Sequence, residues 1–227
     1  MIENPSPNFD ARTLPISMIV LHYTGMATAA EAIARLTDPL AKVSAHYLID
    51  EEGQIVNLVA EAQRAWHAGR SHWRHTDDVN SASVGIELVN PGHEFGYRPF
   101  PDAQIEALLP LLRTLMMRYK ITRGNVVGHS DIAPARKQDP GELFPWEKLA
   151  RLRLALPSPT QNLLDPLWTD GGFLLALERF GYDVSDPVAA VIAFQRRFRP
   201  SNLDGVIDGE CRAKLLALLL PRPLGDH

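Results

Sequence analysis

Ser17-Met18-Ile19-Val20-Leu21-His22 is a near-continuous apolar run that ends on a histidine. It shows no polar alternation, so it suits a strand buried on both faces inside a helix-covered sheet. Next to it, the alanine-rich stretch 28–36 reads as a helix. Segments 45–49 and 54–59 flank Asp50-Glu51-Glu52-Gly53, a hairpin-turn pattern. Residues 83–89 read as another strand. A long amphipathic helix is expected over 103–120, with Asp102 as its cap and Ile105, Leu108, Leu109, Leu112 and Leu115 or Met116 as its apolar stripe. Residues 125–128 form a short strand that again runs into a histidine, His129, and a last helix is expected over about 145–154. Strands and helices in this order predict an α/β fold, a mixed central sheet flanked by helices.

Beyond this the pattern changes. Ala155-Leu156-Pro157-Ser158-Pro159-Thr160-Gln161 sets two prolines among small polar residues and reads as a linker. Segments 172–180, 187–198 and 209–220 are then purely helical in pattern, separated by Gly181-Tyr182-Asp183 and Asp204-Gly205. The expected division is a first domain over 1–154, a linker over 155–164 and a small all-α three-helix domain over 165–227 with a core of its own. A chain of 227 residues has room for one substantial domain and a satellite.

The formal net charge is -4, which argues against a nucleic-acid partner, since phosphate binding needs a dense basic surface. The single cysteine, Cys211, forms no intrachain disulfide and reads as a small core residue. Met1-Ile2-Glu3-Asn4-Pro5 has no basic segment followed by an apolar run, so it is not a signal peptide as given. No apolar stretch is long enough to span a bilayer. A monomer is expected.

His22 and His129 each stand where a buried strand ends, and in open α/β sheets such side chains converge on a crevice. One histidine so placed is more often a hydrogen-bonded core residue; two can share a metal. Asp139 lies in the loop returning from the His129 strand, either as a third ligand or as a turn residue before Pro140. Two histidines and a carboxylate with a fourth position open to water make a catalytic zinc set. Lys137, two residues before Asp139, shares its face if the stretch is extended, and is otherwise a solvated loop lysine. Glu87 shares a strand face with Ser83 and Gly85, opposite Val84, Ile86 and Leu88. It is either a half-desolvated general base beside the metal or one partner of a surface ion pair. His67 in Trp66-His67-Ala68-Gly69 lines a substrate groove or packs within its loop, and Trp66 and Tyr47 are further candidates for substrate binding. His46 reads as structural, His72, His75 and His93 as solvated, and His227 is terminal.

Leu21-His22-Tyr23-Thr24, Val43-Ser44-Ala45-His46-Tyr47-Leu48-Ile49, Ala65-Trp66-His67-Ala68-Gly69, Val84-Gly85-Ile86-Glu87, Gly128-His129-Ser130-Asp131-Ile132-Ala133-Pro134 and Arg136-Lys137-Gln138-Asp139-Pro140-Gly141 occur in this order. The ordered set resembles the amidase-2 family, N-acetylmuramoyl-L-alanine amidases of the AmpD/AmiD type, with phage T7 lysozyme and peptidoglycan recognition proteins as distant relatives. The resemblance spans about residues 10 to 150. It implies Zn2+ held by His22, His129 and Asp139, with Glu87 as general base and Lys137 as the stabiliser of the oxyanion. The implied reaction is hydrolysis of the amide between the lactyl group of N-acetylmuramic acid, or its 1,6-anhydro form, and L-alanine. Peptidoglycan or a muropeptide is then the partner. Residues 172–220 resemble a three-helix peptidoglycan-binding module. The two rival readings are a non-catalytic recognition domain on the same fold and a zinc hydrolase of another amide. The wall substrate lies outside the cytoplasm and recycled muropeptides lie inside it, and the sequence leaves the compartment open.

Overall fold

The computed structural model describes residues 1–161 and 163–220. Its strands are β1 (Ile2–Glu3), β2 (Phe9–Ala11), β3 (Met18–Tyr23), β4 (Tyr47–Ile49), β5 (Ile55–Asn57), β6 (Gln63–Ala65), β7 (Ser83–Leu88) and β8 (Val126–Gly128). Six of them form one sheet in the order β1-β5-β4-β7-β3-β8, while β2 and β6 pair separately. The β4–β5 hairpin is antiparallel, as its turn sequence predicts, whereas β3 runs parallel to both β7 and β8. The sheet is therefore mixed, with the apolar run of β3 in its interior.

Helices α1 (Ala29–Thr37), α2 (Val79–Ala82), α3 (Gly92–Phe95), α4 (Asp102–Tyr119), α5 (His129–Ile132) and α6 (Trp146–Arg151) accompany the sheet. Period-two alternation sorts its side chains onto two faces. Ile19, Leu21, Val84, Ile86, Leu88, Tyr47 and Val126 pack in one cluster with Ile105, Leu108, Leu112 and Leu115 of α4 and with Phe144 and Trp146. Leu48 and Val56 face the other way and meet Ala32 and Leu36 of α1. Thr28 caps α1 by accepting from the Glu31 amide. Asp102 does not cap α4. It is the first helical residue, the cap position is Pro101, and its carboxylate pairs with Lys148 Nζ at 3.2 Å.

The last three helices are α7 (Asp170–Phe180), α8 (Pro187–Phe198) and α9 (Gly209–Leu219). Asp186 and Asp208 cap α8 and α9, and Thr169 caps α7. Part of the expected third segment, residues 221–227 with His227, lies outside the described residues, as does Asn162 of the expected linker. Separate cores were expected from the proline-containing stretch; among the described residues one apolar cluster draws on both segments. One cluster joins Phe173, Leu177, Phe180, Tyr182, Phe194 and Phe198 to Met18, Val20, Trp73, Val127, Ile132 and Ala133. A polar seam reinforces it. Tyr182 Oη donates to Asp131 at 2.6 Å, Arg197 donates to the Val126 carbonyl at 3.2 Å, and the Arg197 guanidinium lies 3.0 Å from the Trp146 ring centroid. The two prolines turn the chain without freeing the helices beyond them. Cys211 is buried in this cluster, as its composition suggested.

A fragment ending at Leu156 bares the Met18, Val20 and Val127 face and strips Asp131 of its tyrosine. Exposing several large apolar side chains at about 1.5–3 kcal/mol each is comparable with the whole stability margin of a typical domain. The fragment is expected to unfold at a temperature well below the full chain, or without a cooperative transition. A fragment melting within a few degrees of the full chain refutes the shared core.

Candidate metal centre

The sheet register delivers the site. His22 on β3 pairs directly with Glu87 on β7, and directly opposed residues of parallel strands project to the same side. On the other flank Leu21 pairs with Gly128, so His129 follows at the level of His22 as the chain enters α5. Asp139 returns from the loop beyond. Its carbonyl accepts from the Ser130 amide at 2.8 Å, which holds the loop against the start of α5. Gly128 permits this closeness, because a Cβ there would stand 2.6 Å from Pro140 Cδ.

Three ligand-type atoms meet. His22 Nδ1 lies 2.9 Å from His129 Nδ1 and 3.0 Å from Asp139 Oδ2, and His129 Nδ1 lies 3.1 Å from Asp139 Oδ2. All three side chains are buried. Tetrahedral bonds of about 2.0–2.1 Å set neighbouring ligand atoms roughly 3.3–3.4 Å apart, so this spacing fits one shared ion. His129 Nε2 faces the Ala68 carbonyl at 3.0 Å. A carbonyl only accepts, so His129 carries its proton on Nε2 and presents a bare Nδ1 to its two neighbours. The Asp139 carboxyl is held far below the ordinary carboxylate range. Burial opposes this, and the His129 and His22 rings outweigh it.

Glu87 stands beside the triad. Burial pushes its carboxyl well above the usual range, the Asp139 charge adds to this, and Lys137 acts against it. Glu87 Oε2 has no hydrogen-bond partner among the described residues. Lys137 also bears on His22, so its charge reaches the same point from the loop side.

The three candidates for substrate contact fare differently. Tyr47 opposes Ile86, one residue out of phase with Glu87, and so lies on the other face of the sheet. Its hydroxyl donates to Glu61 at 2.5 Å, and that carboxylate also takes Arg118 and Tyr119. Tyr47 is thus a core and network residue, away from the triad. The Trp66 indole N–H is given to Asp10 at 2.7 Å and its amide to Ser44, which fastens the loop to β2. His67 is buried with 8% of its surface exposed and contacts His22 rather than open cleft. His93, expected in solvent, stacks on Tyr97 and bonds Glu142. Sequence reading passed over Asn80, which accepts from the His67 and Ala68 amides at 3.0 and 2.7 Å. It also passed over Asp131, whose second oxygen accepts from the Gly128 amide at 2.7 Å. Both sit in ordinary polar stretches, and no local signal marks them.

At its strand ends this mixed sheet carries a buried cluster of two histidines and one carboxylate that could hold a metal ion. Residues 12–142 match the Amidase_2 family, described as N-acetylmuramoyl-L-alanine amidase. The chain belongs to that family. It is 38% identical over 231 residues to N-acetylmuramoyl-L-alanine amidase AmiD of Escherichia coli, an alignment covering 90% of this chain and 82% of that protein. The crystallised complex of E. coli AmiD with anhydro-N-acetylmuramic acid-L-Ala-D-gamma-Glu-L-Lys superposes with a TM-score of 0.82 at 37% identity, over 92% of this chain and 91% of that one. AmpDh3 of Pseudomonas aeruginosa, in complex with anhydromuramic pentapeptide, superposes with a TM-score of 0.81 at 35% identity, over 89% and 90%.

The buried imidazoles make the metal-free protein acid-sensitive. Burial, followed by the charge of His129, holds His22 down to about 4, and burial followed by Arg12 holds His46 down to about 3. Unfolded histidines titrate near 6.5, so below that pH the unfolded chain binds more protons than the folded one. Their contribution is therefore complete above about pH 6.5 and is lost as the pH falls toward 4, at about 1.4 kcal/mol per pH unit per histidine. The urea midpoint of chelator-treated protein is expected to drop steadily from pH 6.5 to 4.5, and His46→Gln to shallow that slope by about one proton. A midpoint flat down to pH 5 contradicts neutral burial.

Proposed function

We propose that this chain hydrolyses the amide joining the lactyl group of N-acetylmuramic acid, including its 1,6-anhydro form, to the L-alanine of a peptidoglycan stem peptide, and that its metal is zinc. The observation that carries the reading is the convergence of His22, His129 and Asp139 to about 3 Å, beside Glu87 and within reach of the Lys137 charge, in a member of the amidase family. The donor set fits the ion. Two imidazole nitrogens and a carboxylate oxygen turned on one point repel each other unless a cation lies between them, and this mixture suits zinc with one position left open.

Bound there, zinc would supply Lewis-acid polarisation of the amide carbonyl and acidify a water. The rest falls to side chains. Glu87 takes the proton of the attacking water on its unpaired Oε2, as its raised proton affinity allows. The C–N bond breaks, and Glu87 returns that proton to the departing L-alanine nitrogen. Lys137 sets its ammonium where negative charge gathers on the carbonyl oxygen, a contribution realised in the transition state. Residues 1–154 carry all five groups. We assign the helical unit of residues 165–220 to bracing this body, because it shares a core with β3 and β8. E. coli AmiD and P. aeruginosa AmpDh3 are both known with anhydromuramoyl peptides bound, which supports the anhydro form as substrate here.

Two measurements check the reading. Anhydromuramoyl tripeptide should be split into anhydromuramic acid and a peptide with a free L-alanine amine, read by mass spectrometry. Cleavage at another amide, or none with zinc loaded, rejects the assignment. Chelation should abolish turnover and one equivalent of zinc per chain should restore it. Glu87→Gln should keep fold and zinc content while turnover falls about 10²–10⁴-fold. Near-wild-type turnover in that variant removes Glu87 from its role.

A further inference from the structure

His67 is buried against the site but is no ligand-type member of the triad. Its neighbours define what it does. His22 Nε2 lies 3.0 Å from His67 Nδ1, and His67 Nε2 lies 3.2 Å from Ser83 Oγ. Ser83 Oγ in turn donates to the Val79 carbonyl at 2.5 Å. The direction of this chain of bonds is decided at its far end. The Val79 carbonyl only accepts, so the one hydroxyl proton of Ser83 points to it. Toward His67 the hydroxyl oxygen is left as an acceptor, so the His67 proton resides on Nε2. His67 Nδ1 is then bare and accepts from His22 Nε2. That places the His22 proton on Nε2 and leaves His22 Nδ1 bare, facing His129 and Asp139.

We propose that His67 is a positioning residue for the metal centre, a hydrogen-bond acceptor that fixes His22 in its metal-binding tautomer and ring orientation by relaying the polarity of the Val79 carbonyl through Ser83. The inference rests on reading the triad as a metal site. A ligand histidine usually finds a carboxylate, carbonyl or water on its outer nitrogen; here that partner is another imidazole.

The same loop serves the second histidine. The Ala68 carbonyl accepts from His129 Nε2, so adjacent residues 67 and 68 orient the two ligand rings. Asn80 Oδ1 takes both of their amides, and Arg136 Nη2 donates to the Ala68 carbonyl at 2.8 Å. The sheet is shaped to admit the ring. A Cβ on Gly85 would lie 2.4 Å from His67 Cγ, so glycine at the centre of β7 is what lets His67 reach over the strand to His22. The His22 and His67 rings meet edge-on, with centroids 5.1 Å apart, which aims the Nε2–H of one at the Nδ1 of the other.

The test is zinc affinity of the full chain, by competition with a chromophoric chelator, for wild type, His67→Asn, His67→Leu and Ser83→Ala. Apo-protein thermal unfolding and the ring-nitrogen NMR pattern of His22 are recorded alongside. Asn keeps an acceptor near the Nδ1 position and Leu fills space without one. His67→Leu is expected to bind zinc about 10–100-fold more weakly and to lose the single Nε2–H tautomer of His22. His67→Asn should remain within a few-fold of wild type. Ser83→Ala frees the direction of the relay and should show both tautomers in the apo-protein, with a smaller loss of affinity. Equal weakening in Asn and Leu, or wild-type affinity and tautomer in Leu, overturns the proposal. Should His67→Leu fail to fold, an unchanged tautomer and affinity in Ser83→Ala overturns it instead. Wild-type protein that binds no zinc defeats the metal reading itself, an outcome distinct from all of these.

Discussion

Parallel pairing of β3 with both β7 and β8 is the constraint on which the site depends. It puts His22, Glu87 and the entry to His129 at one level of one sheet face, although they are far apart in sequence. A slip of one residue in either pairing would send one of them to the opposite face. The apolar residues of the three strands hold the register, since each face is buried along most of its length. Core packing and ligand placement are the same fact seen at two ends of the strands.

Around that frame the protein assembles a charge balance that is tense without a cation. Asp139 stays ionised between two imidazoles, while burial and the Asp139 charge load Glu87 with proton affinity. Backbone carbonyls of Ala68 and Val79 settle where protons reside on the two histidines, the second by way of Ser83 and His67. Because carbonyls do not titrate, that orientation is fixed for as long as both rings of the relay are neutral. Ser83, His67 and the two carbonyls give the relay its direction, and each is satisfied by a named partner.

Much of this was legible in sequence. The unbroken apolar run of β3, the hairpin around Gly53 and the histidines at strand ends are local patterns with physical causes, and they point to the sheet and the triad. What escaped is what depends on approach across the fold. Tyr47 reads like a cleft residue until its pairing with Ile86 assigns it to the other face. His67 looks like a groove lining because nothing in Trp66-His67-Ala68-Gly69 says which ring it will touch. Gly85 and Gly128 read as small strand residues, and their purpose, making room for His67 and Pro140, exists only in three dimensions. The prolines after Ala155 suggested independence because composition reports stiffness of a segment and not the surface to which the next one returns.

The carboxylate of Asp131 holds the Gly128 amide with one oxygen and the Tyr182 hydroxyl with the other. This sets an order on events during synthesis. The sheet, both histidines and the Asp139 loop leave the ribosome before residue 182 exists. Until α7 and α8 emerge, the turn that carries His129 lacks its outer anchor, and Met18, Val20 and Val127 lie bare. A nascent chain in that state shows an apolar strip to every neighbour and to any chaperone that samples it. For this chain the vulnerable interval of biogenesis is set by the time needed to add α7, α8 and α9.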